Sequence, residues 1–277
     1  MNMETENERG IKDPKILASE VPGTTEIEDL TASEDLIAQK GLDVPVKKSA
    51  SSPKASSPKA SSSKAASSKE HFLAWDKEYS HLKWGGPASI RNLQVYIAPE
   101  ARILDAGSGN GRYLGELSRH YSAVGIDISR TALGSSRAQL ARSGRFAEHL
   151  GASVHALPFK SGSFAGILCY GVLQHLFEEE REAAVREFMR VLNCGGLTFF
   201  EAFGREDMRC GGEPSSPFEE NTFVRQNGII YHYFSEEEVK TLFCGFEVLE
   251  LENVRKEKIF RGESYVRHMV RGIFRKI

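Results

Sequence analysis

The chain has 277 residues, of which 40% are hydrophobic, and a formal net charge of −2 at pH 7. This composition supports a sizeable hydrophobic core and gives no general bias toward nucleic acid or a membrane surface. No run approaches the roughly 18 apolar residues that a membrane-spanning helix needs, and the polar N-terminus MNMETENERG does not resemble a secretory signal. The four cysteines form no CxxC pair, so we expect reduced thiols, a cytoplasmic location and no metal site.

Residues 1–70 are predicted to form a disordered tail. They include the repeats SSPKA, SSPKA and SSSKA at 51–65, which have no large apolar side chain and cannot offset the entropy of ordering the chain. The lysines of this tail could touch RNA, but a solvated tether is the favoured interpretation. Aromatic residues begin abruptly at His71 and Trp75, so the folded domain is predicted to span 71–277.

From residue 87 onward, apolar runs typical of strands alternate with patterns typical of helices. The predicted helices cover 87–98, 113–120, 129–148 and 178–192, and the predicted strands cover 103–106, 123–127, 153–156, 166–170 and 196–201. Strands that alternate with helices indicate parallel pairing in a layered α/β domain. The last two strand-like runs, 246–254 and 265–275, are joined by a charged segment and predict a hairpin at one edge of the sheet.

A glycine-rich segment, DAGSGNG at 105–111, directly follows the first strand. Gly107, Gly109 and Gly111 allow a ligand to approach the backbone closely, and a helix N-terminus there would offer unpaired N–H groups. A nicotinamide dinucleotide site would need the third glycine one position later, where Arg112 stands, so a dehydrogenase is disfavoured. Asp105 instead suits a ligand that carries an ammonium group.

Asp127 ends the second strand, at the position where a carboxylate can accept both ribose hydroxyls of an adenosine. The alternative is a helix N-cap, a role that Ser129 can also fill. A glycine loop followed by a carboxylate at this distance indicates an adenosine ligand.

Four segments in order now carry a resemblance: ILDAGSGNGRYL, VGIDIS, HALPFKSGSFAGILCYGVLQHL and REFMRVLNCGGLTFFEAF. With them the domain 71–277 resembles the class I S-adenosylmethionine (SAM)-dependent methyltransferase superfamily, in its broad methyltransferase-11-like branch. The resemblance implies a Rossmann-like, doubly wound, seven-stranded α/β sheet with an antiparallel C-terminal strand. It also implies SAM as cofactor.

The same resemblance implies a role for each site residue. Asp105 would lie near the methionine amine, the three glycines under the cofactor and Asp127 at the ribose. Residues of the third strand would face the adenine edge, and two residues after the fourth strand would line the site; these are Ser153, Val154, His155, Ala156, Tyr170 and Gly171. Ser153 departs from the pattern, because relatives commonly have Asp there and a charge-assisted hydrogen bond is stronger.

Two histidines are candidates for a catalytic base or an acceptor-orienting group. His175 follows the fourth strand, at the carboxyl edge of the sheet where ligands bind, with a packed histidine as the alternative. His232 lies in the aromatic run IIYHYF after the irregular segment 204–228, a candidate substrate lid. For His232 a connecting strand at the sheet edge is slightly favoured.

The predicted reaction is methyl transfer to an O, N or S atom. GNGRYL and VLQHL resemble tRNA wobble-uridine methyltransferases, whereas YHYFSEEEVKTLFCGFEVLEL resembles the tellurite-resistance and thiopurine branch, which acts on small molecules. A small acceptor is weakly favoured over tRNA because no compact basic patch dominates, although Arg267, Arg271 and Arg275 could form a basic edge. A non-catalytic SAM-binding adaptor and a small activator subunit stay open; a membrane partner is not expected.

Overall fold

The computed structural model describes residues 64–81, 88–214, 219–260 and 262–277. The predicted tail lies outside the described residues up to position 63. The first helix begins at Lys64, inside the segment that the sequence assigns to the tail. None of the helices in the described residues is long and apolar enough to cross a membrane.

Helices and strands mostly alternate along the chain. The helices are α1 Lys64–His81, α2 Arg91–Tyr96, α3 Leu114–Leu117, α4 Arg130–Arg142, α5 Glu178–Val191 and α6 Glu236–Leu242, with a 3₁₀ turn at Leu173–His175. The strands are β1 Arg102–Ala106, β2 Ser122–Asp127, β3 Glu148–Gly151, β4 Phe164–Tyr170, β5 Leu192–Phe203, β6 Glu213–Pro214, β7 Thr222–Val224, β8 Ile230–His232, β9 Phe246–Phe260 and β10 Glu263–Lys276.

Seven strands form the main sheet in the order β3-β2-β1-β4-β5-β10-β9. The first five are parallel to one another, whereas β10 runs antiparallel to both β5 and β9. The predicted seven-stranded sheet with an antiparallel C-terminal hairpin is therefore confirmed. Because the first five strands are parallel, their carboxyl ends meet at one edge, where the loops that follow them come together.

Helices pack on both faces of this sheet, as a doubly wound fold requires. Successive side chains of a strand point to opposite faces. Thus Leu104 and Phe200 join one buried core with Phe188 of α5, whereas Ile103 and Phe199 join the other core. The second core also contains Leu93 of α2, Leu114 of α3 and Leu140 of α4.

The third strand and the second long helix differ from the prediction. The strand is Glu148–Gly151, and 153–156 form a turn after it, because the pairing with β2 ends at Asp127 opposite Gly151 and leaves no partner beyond. Helix α4 ends at Arg142, where Gly144 with a φ of 64° follows, instead of reaching 148. The side chain of Ser129 caps its N-terminus by accepting the N–H of Ala132 at 3.1 Å.

Three other boundaries also differ. The predicted helix 113–120 contracts to Leu114–Leu117, and the predicted helix 87–98 contracts to Arg91–Tyr96. The charged segment between the last two strands is itself paired strand, since Arg255 lies opposite His268 and Glu257 opposite Val266. Backbone pairing across a tight hairpin here overrides the low strand propensity of charged residues.

The segment 204–228, predicted as an irregular lid, contains the strands β6 and β7, which form a small antiparallel sheet with β8 directly after it. Its last strand is followed by Phe234, whose N–H donates to Phe203 O at 2.8 Å. This connection fixes the small sheet next to the carboxyl end of β5, on the edge where the candidate site residues lie.

Candidate cofactor and active site

Strand β1 has a buried carboxylate, Asp105, near its carboxyl end, where the glycine loop begins. Asp105 is only 4% exposed, and its Oδ2 has no hydrogen-bond partner among the described residues. Burial, with a smaller contribution from Asp127, raises the pKa of Asp105 to about 8. A buried carboxylate oxygen without a donor is costly, and an ammonium group on a ligand would relieve that cost.

The loop after β1 is built so that only glycine fits at three positions. Gly107, Gly109 and Gly111 have φ angles of 75°, 52° and 85°, a region that other residues rarely adopt. A Cβ at Gly107 would lie 2.5 Å from Val172, and one at Gly109 would collide with the hydroxyl of Tyr79. The loop therefore passes close to the side chains of Val172 and of Tyr79 in α1.

Asp127 joins the end of β2 to this glycine loop. One carboxylate oxygen accepts the N–H of Gly109 at 2.8 Å and the other accepts the N–H of Ser129 at 2.8 Å. Burial raises its pKa to about 6 against the opposing effect of these backbone hydrogen bonds. Each carboxylate oxygen can accept a second hydrogen bond, so the group can also hold the hydroxyls of a ribose.

The residues predicted to face an adenine lie in the turn after β3. The backbone N–H of Ala152 donates to the backbone oxygen of Asp127 at 3.2 Å, which places this turn next to Asp127. Ser153 and His155 are half-buried and share a hydrogen bond of 2.9 Å, whereas Val154 is buried in the core and Ala156 is exposed. The side chain of Val154 therefore packs in the core, and the polar groups of this turn are those of Ser153 and His155.

Tyr170 and Gly171 lie at the end of β4 on the same edge of the sheet. The ring of Tyr170 contacts that of Tyr113 edge-to-face, with 5.2 Å between centroids. Gly171 has a φ of 71°, and its N–H donates to Glu201 O at 2.8 Å. Both residues adjoin the glycine loop, since Tyr113 follows that loop in the chain.

These residues together fit the adenosine ligand with an ammonium group that the sequence implies. Asp105 would hold the amine, the glycine loop would pass beneath the ligand, and Asp127 would hold the ribose. The buried oxygen of Asp105 and the three left-handed glycines are the observations that support this fit.

Helix α1 packs against the site. For its aromatic residues Trp75 and Tyr79 the sequence leaves two interpretations open, a cover over the cofactor or core aromatics. Asp76, which the sequence analysis missed, accepts hydrogen bonds from Ser129 Oγ at 2.8 Å and from the N–H of Thr131 at 3.0 Å. Trp75 and Tyr79, one helical turn apart, contact each other with 5.8 Å between centroids. Burial and the nearby Asp127 and Asp105 hold the pKa of Tyr79 well above its usual value. In the sequence, Asp76 lies between two aromatic residues that are four positions apart, and this pattern is the signal that could have revealed its contact with the start of α4.

His175 lies beside this site but is held by neutral hydrogen bonds. Its Nδ1 lies 2.7 Å from Ile230 O, which requires a proton there, so Nε2 accepts from the amide of Gln174 at 3.2 Å. The ring is 8% exposed, and burial lowers its pKa to about 3. These contacts support the packed-histidine alternative, because both ring nitrogens are occupied and the group is neutral at pH 7.

His232 lies in a buried charged cluster away from the glycine loop. Its Nδ1 lies 2.6 Å from Thr222 Oγ1, and its Nε2 lies 2.6 Å from Glu238 Oε1. In the same cluster Arg181 pairs with Glu219 at 2.7 Å. Burial lowers the pKa of His232 more than Glu238 raises it. The cluster ties the small sheet to α5 and α6, which agrees with the connecting-strand interpretation.

The arginines of the last strand do not form an open basic edge. Arg267 pairs with Asp207 at 2.9 Å, Arg271 with Glu201 at 2.5 Å and Arg275 with Glu247 at 3.1 Å. Each cation therefore has an acidic partner within the domain, which leaves these three side chains less suited to phosphate contacts.

Comparisons with known proteins agree with this geometry. Residues 103–196 match the family model described as "Methyltransferase domain". The chain is 25% identical over 181 residues to the human tRNA N(3)-cytidine methyltransferase METTL2B, covering 61% of this chain and 48% of the relative. It is 32% identical over 127 residues to the tRNA (carboxymethyluridine(34)-5-O)-methyltransferase alkbh8 of Xenopus tropicalis, covering 46% of this chain and 19% of the relative. The chain thus spans about half or less of these two relatives.

The fold itself has a counterpart among solved structures. A SAM-dependent methyltransferase from Methanosarcina mazei superposes with a TM-score of 0.54 and 24% identity, covering 68% of this chain and 98% of the other. At this identity the likeness concerns the fold, and it agrees with the seven-stranded sheet described above.

Proposed function

We propose that the chain belongs to the class I SAM-dependent methyltransferase superfamily, that it binds SAM, and that it transfers the methyl group to an oxygen, nitrogen or sulfur atom of an acceptor. One observation carries this proposal: the carboxylates of Asp105 and Asp127 flank a glycine loop that tolerates no side chain. The methionine amine and the ribose hydroxyls of SAM match these two carboxylates.

When bound, SAM supplies an electrophilic methyl group, which the lone pair of the acceptor takes while the C–S bond breaks and S-adenosylhomocysteine (SAH) leaves. The protein's own part is to bind, orient and exclude water. Helix α1 contacts the glycine loop through Tyr79, and Tyr231 of the small sheet contacts His175. A general base is needed only if the acceptor must lose its proton during attack.

The test of this proposal is calorimetry with SAM, SAH and NAD on the full chain. We expect binding of SAM and SAH and none of NAD, since Arg112 replaces the third glycine that a dinucleotide site requires. Binding of NAD without a signal for SAM would overturn the proposal. Binding of SAM without turnover on any cellular acceptor would favour the non-catalytic adaptor instead.

For the acceptor we propose a nucleoside of tRNA, with a small molecule as the alternative. The support is the likeness to two proteins named as tRNA methyltransferases, one for a cytidine and one for a carboxymethyluridine. The sequence alone weakly favours a small acceptor. Methyl-labelled SAM incubated with the size-separated tRNA and small-molecule fractions of cells lacking the protein distinguishes the two.

We place the reaction in the cytoplasm, on the same ground as the sequence analysis. All four cysteines are free, and two of them, Cys194 and Cys244, are exposed. Exposed thiols suit a reducing compartment. Imaging of the tagged full chain tests this location.

A further inference from the structure

Aromatic rings from four parts of the chain meet beside the glycine loop. We call Trp75, His175, Phe203 and Tyr231 the aromatic cluster. The centroid of His175 lies 4.8 Å from that of Trp75 and 4.7 Å from that of Tyr231, both edge-to-face. Phe203 and Tyr231 are parallel within 4°, with 6.1 Å between their centroids.

The cluster adjoins both carboxylates of the cofactor site. Trp75 contacts Tyr79, whose hydroxyl lies next to Gly109. Burial and the negative charges of Asp127 and Asp105 raise the pKa of that hydroxyl. Tyr231 is held next to these residues, because the preceding residue, Ile230, accepts a hydrogen bond from His175 at 2.7 Å. An acceptor must lie near the cofactor to react, and these rings reach the glycine loop through the contact of Trp75 with Tyr79.

We propose that the aromatic cluster is the acceptor-binding surface and that it takes a planar, π-rich ring, which is either a nucleobase or an equivalent small heterocycle. This inference rests on the proposed function and names the chemical class of its acceptor. Trp75 and Tyr231 are the half-buried members, so they present ring surface to a ligand. Every base has a π-face, and stacking on aromatic side chains is the common way in which proteins hold an unstacked base.

Two arginines decide the charge that the surface accepts. The guanidinium carbon of Arg209 lies 3.9 Å from the centroid of Phe203, and that of Arg225 lies 5.5 Å from the centroid of Tyr231. Arg209 is held by Asp207 at 2.8 Å and lies close enough to His175 to help lower its pKa. Cations beside the rings disfavour a positively charged acceptor, such as the ammonium of a protein lysine, and suit a neutral ring with carbonyl oxygens.

The rings are fixed before any ligand arrives. His175 is anchored on both nitrogens, and Gln174, which donates to it, also accepts the N–H of Phe203 at 2.9 Å through its Oε1. One hydrogen-bonded chain therefore links three segments that carry the cluster. A preorganised surface loses less side-chain entropy when the acceptor binds.

The test uses the fluorescence of Trp75 in the full chain with Trp84→Phe, which leaves Trp75 as the only tryptophan. The protein is saturated with SAH and titrated with cytidine 5′-monophosphate, uridine 5′-monophosphate, ribose 5-phosphate and a short RNA stem-loop. We expect saturable quenching by both nucleotides and none by ribose 5-phosphate, which lacks the ring. RNA that binds at least about tenfold more tightly than the nucleotides identifies an RNA source, whereas equal affinity identifies a small heterocycle.

Variants separate stacking from a structural role. Tyr231→Ala should weaken nucleotide binding at least about tenfold, and Tyr231→Phe should retain it within about twofold. Tyr96→Ala is the matched control, because Tyr96 makes a similar edge-to-face contact with Phe199, a residue of the second core that is not part of the aromatic cluster. Melting curves and SAH calorimetry on each variant report folding and the cofactor site.

The inference fails if the nucleotides do not quench Trp75, if ribose 5-phosphate quenches equally, or if Tyr231→Ala binds nucleotides as the parent does. SAH binding that persists in those cases leaves the proposed function standing. A parent protein that does not bind SAH would instead contradict the proposed function itself.

Discussion

The carboxylate of Asp127 accepts the N–H of Gly109 at 2.8 Å, so the end of the second strand holds the glycine loop in place. The same carboxylate accepts the N–H of Ser129, which begins the capping of α4. One side chain therefore serves the shape of the loop and, in the proposed function, the ribose of the cofactor.

Replacing the carboxylate of Asp127 should weaken both the binding of SAM and the stability of the fold. We expect Asp127→Ala to reduce SAM affinity by about 1.5–3 kcal/mol, the scale of hydrogen bonds to a charged group, and to lower the free energy of unfolding because two buried N–H groups lose their acceptor. Calorimetry and denaturant unfolding measure the two effects. Glu148→Gln, at an exposed carboxylate of β3, is the control; an unchanged dissociation constant for Asp127→Ala would show that the ribose lies elsewhere.

SAM affinity should depend on pH through Asp105. Its pKa of about 8 in the free protein means that it is largely protonated at neutral pH, whereas an ammonium group prefers the ionised form. Affinity should therefore rise between pH 6 and 8 by up to about tenfold per unit and level off above pH 8. Proton release measured by calorimetry in buffers of different ionisation enthalpy checks this, and Asp105→Asn should remove the dependence.

The free protein should show the opposite trend in stability. The folded-state pKa of Asp105 lies above the unfolded value of 3.8, so the folded state binds the extra proton between these values. The contribution to the free energy of unfolding is complete below pH 4 and is lost as pH rises toward 8. Asp105→Asn should flatten this decline in denaturant unfolding curves; a decline that persists in full would assign it to other groups.

The docking of α1 should depend on Asp76. Its carboxylate accepts from Ser129 and Thr131 at the start of α4, so Asp76→Ala should cost about 0.5–2 kcal/mol, as the loss of a helix cap does. Proteolysis within α1 should quicken and SAM affinity should fall. Lys77→Ala, at the exposed neighbouring position, should change neither, and a variant at Asp76 that behaves like it would contradict the cover assigned to α1.

His175→Ala should act on stability more than on rate. The substitution leaves Ile230 O and the Gln174 amide without their partner and removes a ring between Trp75 and Tyr231, which should cost about 2 kcal/mol or more. The turnover rate per folded molecule should change by less than about tenfold. Unfolding and turnover of labelled SAM on tRNA, measured on one preparation, test this; a loss on the order of 100-fold without destabilisation would make His175 a base.

Acid should weaken the fold through the same histidine. Its folded-state pKa of about 3 lies below the unfolded value of 6.5, so the stabilising contribution is present above pH 6.5 and is lost as pH falls toward 3. His175→Ala should therefore show a shallower loss of stability over this window. An identical slope in parent and variant would contradict the buried neutral state.

The buried cluster around His232 should depend on Arg181. Its side chain is 4% exposed and pairs with Glu219, whose side chain is 12% exposed, so Arg181→Met leaves a half-buried carboxylate without its partner and should cost about 2–4 kcal/mol. The double variant Arg181→Met/Glu219→Gln should recover part of that loss. Arg186→Met breaks an exposed pair with Glu182 and should change stability by less than about 0.5 kcal/mol, which makes it the matched control.

The sequence predicted the features that depend on local pattern. Apolar runs at 103–106 and 123–127 predicted the strands that carry Asp105 and Asp127, because a buried parallel strand needs a short apolar run. The glycine spacing at 107–111 indicated the loop, since left-handed φ angles require glycine there. For residues 153–156 local pattern misled, because strand pairing stops where β2 stops.

The tertiary structure decided what no local pattern contains. The position of α1 over Gly109, the anchoring of His175 between Ile230 and Gln174, and the parallel rings of Phe203 and Tyr231 all join residues far apart in the chain. Their partners, burial and pKa values follow from which segments pack together, and that choice depends on the whole core. The sequence by itself therefore determined the fold and the position of the glycine loop, whereas only the packed structure decided that His175 is buried between Ile230 and Gln174 and which rings meet beside that loop.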